Sequence, residues 1–389
     1  MTLDPHQKIA SSSFLDLTNA SLTEKEESEL TVDDYIEVIR FKPGCASSYN
    51  NRGVVSHFEG ECDHAIADFT EAIRIKPDFA LAYNNRGNVY NDKGEYDYAI
   101  ADFTEAIRIK PDFAEAYKGR GNSYHVKDEY NHAIADYTEA IRIIPDFASA
   151  YNNRGKAYYD KGEYDHAIAD FTEAVRIEPE DAGAYKDRGN SYRHKGENDR
   201  AIADFTEAIR IKPDFAMAYY NRGLTYYVKN EHDLAIAIAD CTEAIRIEPD
   251  IAEAYFTRGV LYHLQGENDW AIADFTTGIR VKPDSFGLAY YHRGCVYGMR
   301  GEYDLAIADF TEAICIEPDD VRFYFYRGNV YQAKGEHDHA IADFTEAIRI
   351  KPDDARVYNN RADCYEQKGD QSRAEADRRK AKELTKNQA

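Results

Sequence analysis

Apolar residues recur along the chain at helical rather than strand spacing. In residues 80–113, Tyr83, Gly87 and Tyr90 share one face of a first segment, and Ala99, Phe103, Ala106 and Ile107 share one face of a second. The two segments meet at Lys93-Gly94. Pro111 closes the second, because proline has no backbone N–H to give and its ring clashes inside a helix. The pattern predicts a helical hairpin spanning this stretch.

The hairpin repeats. Arg-Gly marks each copy at Arg52, Arg86, Arg120, Arg154, Arg188, Arg222, Arg258, Arg293 and Arg327, and Arg361-Ala362 marks a tenth. Ten of the eleven prolines keep the same beat, so the units run 46–79, 80–113, 114–147, 148–181, 182–215, 216–251, 252–286, 287–320, 321–354 and 355–388. At the split between helices stand Gly60, Gly94, Asp128, Gly162, Gly196, Asn230, Gly266, Gly301, Gly335 and Gly369, all types that accept the left-handed conformation ending a helix. Three residues later, Asp63, Asp97, Asn131, Asp165, Asp199, Asp233, Asp269, Asp304, Asp338 and Ser372 are the expected side-chain caps of the second helices. Each hairpin keeps an apolar flank that it cannot cover alone. The expected fold is an all-α solenoid stabilised by stacking of neighbour on neighbour.

The unit resembles the tetratricopeptide repeat, whose pattern runs aromatic, Gly, aromatic, Ala, aromatic, Ala and Pro. Tyr83, Gly87, Tyr90, Ala99, Phe103, Ala106 and Pro111 match it one for one. The resemblance implies a right-handed superhelix of about ten hairpins. One departure is systematic: the residue before the Gly is usually Leu in that family and is Arg in every copy here. Each Arg is expected to pair with the Asp of the second helix, namely Asp68, Asp102, Asp136, Asp170, Asp204, Asp274, Asp309 and Asp343, as a ladder of ion pairs.

The ends and the middle depart from the repeat. Residues 1–30 are Ser/Thr/Glu-rich and non-periodic, which predicts a largely disordered segment with a weak helix over Ser12–Leu22. Residues 31–45 read as a partial capping helix, with Tyr35 and Val38 where Phe69 and Ala72 stand in the next copy. In the last copy Arg378 replaces the core Phe, and Arg379, Lys380 and Lys382 make its outer helix polar, as suits a capping repeat facing water. Residues 235–240 carry two extra residues, and Cys241 replaces the core Phe. Two residues rotate a helix by roughly 200°, so the second helix is expected to start early. A further residue enters near Ser285-Phe286-Gly287, and Gly278 replaces Ala. The regular superhelix is expected to break between 235 and 287, either as a hinge or as drift between copies.

Composition narrows the function. With 71 acidic and 48 basic side chains the net charge is -23, which disfavours nucleic acid and anionic membranes as partners. No run approaches the roughly 18 apolar residues of a membrane helix, and Met1–Leu30 lacks a basic-then-apolar leader. Six scattered cysteines without a C-x-x-C suit a reducing, cytoplasmic setting. About 45 residues lie outside the repeats, too few for a catalytic core, and no nucleophile triad or phosphate-binding loop is present. His64, His132, His166 and His339 hold one slot in different copies, about 10 Å or more apart by helix packing distances, too far for a shared metal. No enzyme activity, cofactor or metal is expected.

In the family that the chain resembles, first helices line a concave face, and residues flanking the Arg-Gly position contact ligands. Candidate peptide-binding residues on that basis are Asn84, Asn85, Asn88, Asn152, Asn153 and Asn221, whose amides can hold a peptide backbone. A second set is Tyr220, Phe256, Tyr291 and Phe325, one per copy in four successive copies, with Tyr326, Tyr227 and His263 beside them. Both sets have a plainer reading, as solvated amides and as rings packed between hairpins. A co-chaperone clamp for a C-terminal carboxylate is half present, in Lys118, Asn122 and Asn153 and in Lys186, Asn190 and Asn221. Gly183 and Asp187, or Glu253 and Thr257, stand where the family's further basic residues belong. The expectation is a scaffold for a protein or peptide segment, with a groove of roughly 100 Å and a basic or aromatic-rich partner. Alternatives are an accessory subunit of a glycosyl- or peptide-modifying enzyme complex, a co-chaperone adaptor, and self-association through the aromatic strip.

Overall fold

The computed structural model describes residues 35–36, 39–40, 42–229, 233–283 and 286–387. Expectations for residues 1–30, and those resting on Val38, Asn230 and Ser285, lie outside the described residues. The described residues form 20 helices in antiparallel pairs and no strand. The chain divides into two compact units, Met1–Ser191 and Tyr192–Ala389. The first unit contains α1 Ala46–Phe58, α2 Cys62–Ile75, α3 Ala80–Asp92, α4 Tyr96–Ile109, α5 Ala114–Val126, α6 Tyr130–Ile143, α7 Ala148–Asp160 and α8 Tyr164–Ile177. The division falls inside α9, Ala182–His194. The second unit continues with α10 Asn198–Ile211, α11 Ala216–Lys229, α12 Leu234–Ile247, α13 Ala252–Leu264, α14 Asn268–Val281 and α15 Gly287–Met299. It ends with α16 Tyr303–Ile316, α17 Val321–Lys334, α18 His337–Ile350, α19 Ala355–Gln367 and α20 Gln371–Asn387.

Within a hairpin the two helices close on one ring. A Cβ at Gly87 would lie 2.9 Å from the ring of Phe103, and one at Gly119 of the next hairpin 2.6 Å from the same ring. Phe103 is fully buried between them with Ala99 and Ala106. Glycine is therefore required at Gly87 by the closeness of approach, since a methyl group would overpack the site. The split between helices needs a different property: Gly94 sits at φ +76° and Asp128 at φ +60°, both left-handed. The Gly94 N–H donates to the Asn91 carbonyl (3.0 Å) and the Glu95 N–H to the Tyr90 carbonyl (2.8 Å), so the last carbonyls of α3 are satisfied.

That turn overrules the expected caps. The second helix begins one residue after the turn closes, with Glu61 or Glu95 at the N-cap and no side-chain cap bond. Asp97 consequently lies inside the first turn of α4, where the positive helix end favours a carboxylate. It accepts from Lys127 of the following hairpin at 2.6 Å, as Asp63 does from Lys93 at 2.8 Å. Side-chain caps occur on several first helices, where the N–H groups of Gly183, Arg322 and Arg356 donate to Asp181, Asp320 and Asp354, and on the last second helix, where the Arg373 N–H donates to Asp370.

The arginines pair as expected. Arg86 holds Asp102 through two bonds of 2.7 Å, and Arg52, Arg120, Arg154, Arg258, Arg293 and Arg327 hold Asp68, Asp136, Asp170, Asp274, Asp309 and Asp343 in the same way. Arg222 with Asp240 and Arg361 with Asp377 extend the set. The remaining guanidinium nitrogen reaches the previous hairpin. Nη1 of Arg86 donates to Thr70 Oγ1 at 2.8 Å, and that of Arg327 to Thr311 at 2.9 Å. From Arg86 onward the repeating arginines thus also bind the hairpin before their own.

The irregular copies keep their packing. Contrary to the expected early start, α12 has the ordinary 14 residues. The extra pair is taken up ahead of its N-cap, Asp233, so every apolar position keeps its face. Cys241 leaves room where the other copies hold a ring, and the backbone fills part of it: a Cβ at Gly223 would meet the Ala237 carbonyl oxygen at 3.0 Å. Burial pushes the Cys241 thiol up to about 12. At the second irregularity Phe286 comes within 3.2 Å of the Cβ position of Gly278 and lies 5.3 Å from the ring of Phe256. The Ala of other copies would obstruct that ring. Neighbouring hairpins stay in contact here, since α12 touches α13 and α14 touches α15 as in other copies.

Candidate functional site

First helices form the inner row. In the first unit α1 touches α3, α3 touches α5 and α5 touches α7; in the second, α11, α13, α15, α17 and α19 touch in succession. Among the described residues no second helix touches another second helix. Within each unit the inner surface is therefore built from the exposed faces of first helices, and its chemistry differs between the units.

The inner face of the first unit carries a set of amides. Asn84 is buried, and its amide donates to Asn85 Oδ1 at 3.4 Å. Asn85 donates to Asn50 Oδ1 of the previous hairpin at 3.1 Å. Asn153 likewise donates to Asn122 Oδ1 at 2.9 Å, and Asn152 to Asp181 at 2.8 Å. Asn85 and Asn153 thus join hairpin to hairpin, while Asn88 stays exposed. Lys118 lies over the Phe147 ring at 4.9 Å, and burial lowers its pKa.

The second unit carries the aromatic residues. Phe256 lies 6.0 Å from Phe275 and 5.3 Å from His292, and Tyr291 lies 6.0 Å from Phe310 and 5.3 Å from Tyr326. Phe325 contacts Phe344 at 6.2 Å, with Arg356 over its ring. Tyr220 is half-buried beside Ala216, Ala244 and Ile251. Tyr227 packs near Leu261, Asn221 is buried, and His263 shares a hydrogen bond with Asn268 at 2.9 Å. Most of these rings sit in the junctions between hairpins. Tyr326 is the most open, at 40% exposure.

The residues that face solvent are ones that sequence reasoning missed. Val228, Leu264 and Met299 are 61%, 50% and 63% exposed, and Met217 is exposed too. Val228, Leu264 and Met299 hold one slot, six residues after the repeating Arg, in three successive hairpins. In the first unit the same slot alternates: Phe58 and Val126 are 64% and 59% exposed, while Asp92 and Asp160 each meet a histidine of the previous hairpin, His57 at 2.8 Å and His125 at 2.7 Å. Comparing one slot across copies was the available signal. Behind this row His292 is packed among Phe256, Phe275 and Tyr291, and burial pushes its pKa down to about 4. Elsewhere, His64, His132, His166 and His339 each pair with a glutamate three residues earlier. No three potential metal ligands converge among the described residues. No described helix is long and apolar enough to cross a membrane.

Three family models match along the chain. The model described as TPR repeat matches residues 59–94, 121–162, 189–230 and 328–369. Two described as Tetratricopeptide repeat match 80–113, 148–181 and 287–320, and 252–285 and 355–388. No curated protein matches the sequence. Solved structures that it resembles include YrrB, described as a TPR protein with an unusual peptide-binding site, at 23% identity over 48% of this chain and 97% of that one, TM-score 0.42. MamA matches at 28% identity over 42% and 94%, TM-score 0.39. A tetratricopeptide repeat protein from Parabacteroides merdae matches at 20% identity over 64% and 97%, TM-score 0.48. With repeat models matched from residue 59 to residue 388 and the hairpins described above, the chain belongs to the tetratricopeptide repeat family.

Proposed function

We propose that the protein is a non-enzymatic scaffold that holds a protein or peptide segment on the inner face of its second unit. The observation that carries this reading is the row of exposed apolar side chains Val228, Leu264 and Met299 on α11, α13 and α15. Exposed apolar surface repeated on one face is what a partner covers. Tyr326 and Met217 widen the same surface. The net charge of -23 favours a basic or aromatic-rich segment and faster encounter with it, an attraction that added salt weakens. The six cysteines are all free thiols, which supports action in a reducing compartment such as the cytoplasm. The recurring carboxylates Asp68, Asp102 and Asp136 hold arginines, which leaves them engaged in structure rather than in proton transfer.

A displayed random peptide library tests this reading with the full chain as bait. Selected peptides should carry apolar or aromatic anchors with basic neighbours, and Leu264→Asp with Met299→Asp should weaken their binding at least about tenfold, about 1.4 kcal/mol. Failure to select any sequence, or equal binding to the doubly substituted chain, overturns it. Alanine at Phe256, Tyr291 or Phe325 is a poorer probe, because those rings also contact the following hairpin.

A further inference from the structure

The last hairpin ends in an open groove. Asn359 on α19 and Arg378, Ala381, Lys382, Thr385 and Lys386 on α20 line a cavity of about 470 Å³. One hairpin earlier, the matching floor of Phe344 and Ala347 receives Val357 of the following first helix, with Ile348 alongside. The groove is therefore the seat of a first helix, but its lining has changed character. Arg378 replaces Phe344 and Lys382 replaces Ile348. Arg378 is occupied by Asp363 and Glu366 at 2.9 Å and 2.6 Å. Lys382 and Lys386 meet no carboxylate among the described residues. The helix as a whole carries six basic and three acidic side chains in a chain whose net charge is -23.

The front of the chain has the complementary character. Tyr35 and Ile39 stand one full repeat before Phe69 and Ile73 and are 1% and 9% exposed, so they hold second-helix positions. One repeat before α1 the sequence reaches residues 12–24. Residues 12–34 contain Phe14, Leu15, Leu17 and Leu22 together with seven carboxylates and a single lysine. The sequence of this stretch offers apolar side chains for the groove floor and acidic ones for its walls.

We propose that a second copy of this chain fills the groove. Residues 12–34 of one molecule stack on α19 and α20 of another, as each hairpin stacks on the one before it, and Lys382 and Lys386 pair with the carboxylates between Glu24 and Asp34. Such a contact uses two different surfaces of one chain, so it propagates head to tail into filaments or closes into a ring.

Sedimentation of the full chain tests the proposal with two charge-reversed variants, Lys382→Glu with Lys386→Glu, and Glu24→Lys with Glu26→Lys and Glu27→Lys. The unmodified chain should sediment faster as concentration rises at low ionic strength, and this association should fade with added salt. Each variant alone should associate at least about tenfold more weakly while its circular dichroism melt stays that of the parent. An equimolar mixture of the two should recover association, because the reversed front matches the reversed groove. A monomeric parent at every concentration, association indifferent to both reversals, or a mixture that fails to recover overturns the proposal. A variant that only expands, as read from its Stokes radius, would show the front segment bound within its own molecule and would equally overturn it.

Discussion

An arginine in place of the family's leucine changes what its neighbour must be. Arg86 is mostly buried and Asp102 almost wholly so, and the bidentate geometry leaves neither charge alone. Arg86→Leu strands the Asp102 carboxylate and should cost about 3–5 kcal/mol of local stability, read by amide exchange in α3 and α4. Converting both residues to leucine should recover most of that loss. His292 makes the opposite case, a titratable group held neutral. Burial lowers its pKa to about 4, with His263 and Arg322 adding repulsion, whereas the unfolded chain protonates it near 6.5. The unfolded state therefore takes up the proton first as pH falls. This contribution is complete above about pH 6.5 and declines toward pH 4, by roughly 3 kcal/mol. Thermal melts across that range should show the decline, and His292→Phe should flatten it. The Arg–Asp pairing was legible because one carboxylate recurs at a fixed spacing in every copy. The threonine partner was not, because Arg86 to Thr70 crosses between hairpins and spacing alone gives no such distance.

At the level of helices and turns, periodicity and proline placement were enough to locate the hairpins, and the left-handed residue between helices was readable from glycine. Asp128 bears the steric strain of that conformation at φ +60°. Asp128→Gly should raise stability by about 1 kcal/mol, measured by urea unfolding against the parent. The caps were misplaced for a local reason. Two backbone bonds close the turn at Gly94 and Glu95, so the next helix begins before Asp97 and absorbs it. The two extra residues near 235 do not lengthen α12, so no apolar face of that helix is rotated out of place.

Across the molecule, the family and the hairpin stack were readable because the same requirements recur ten times. The binding surface was less so. Asn85 and Asn153 have the chemistry of ligand contacts and are engaged in joining hairpins, whereas Leu264 and Met299 look unremarkable in sequence and stand exposed. Packing positions announce themselves by repetition, and contact positions differ from copy to copy, so only the structure separates an open side chain from a covered one.

The hydroxyl that second helices offer to the next arginine makes one seam nearly interchangeable with another. Removing residues 114–147 would join Phe113 to Ala148 as Phe147 joins it now, and Arg154 would find Thr104 where it had found Thr138. Genetic recombination can therefore lengthen or shorten this array by whole modules while each splice inherits a junction that already fits.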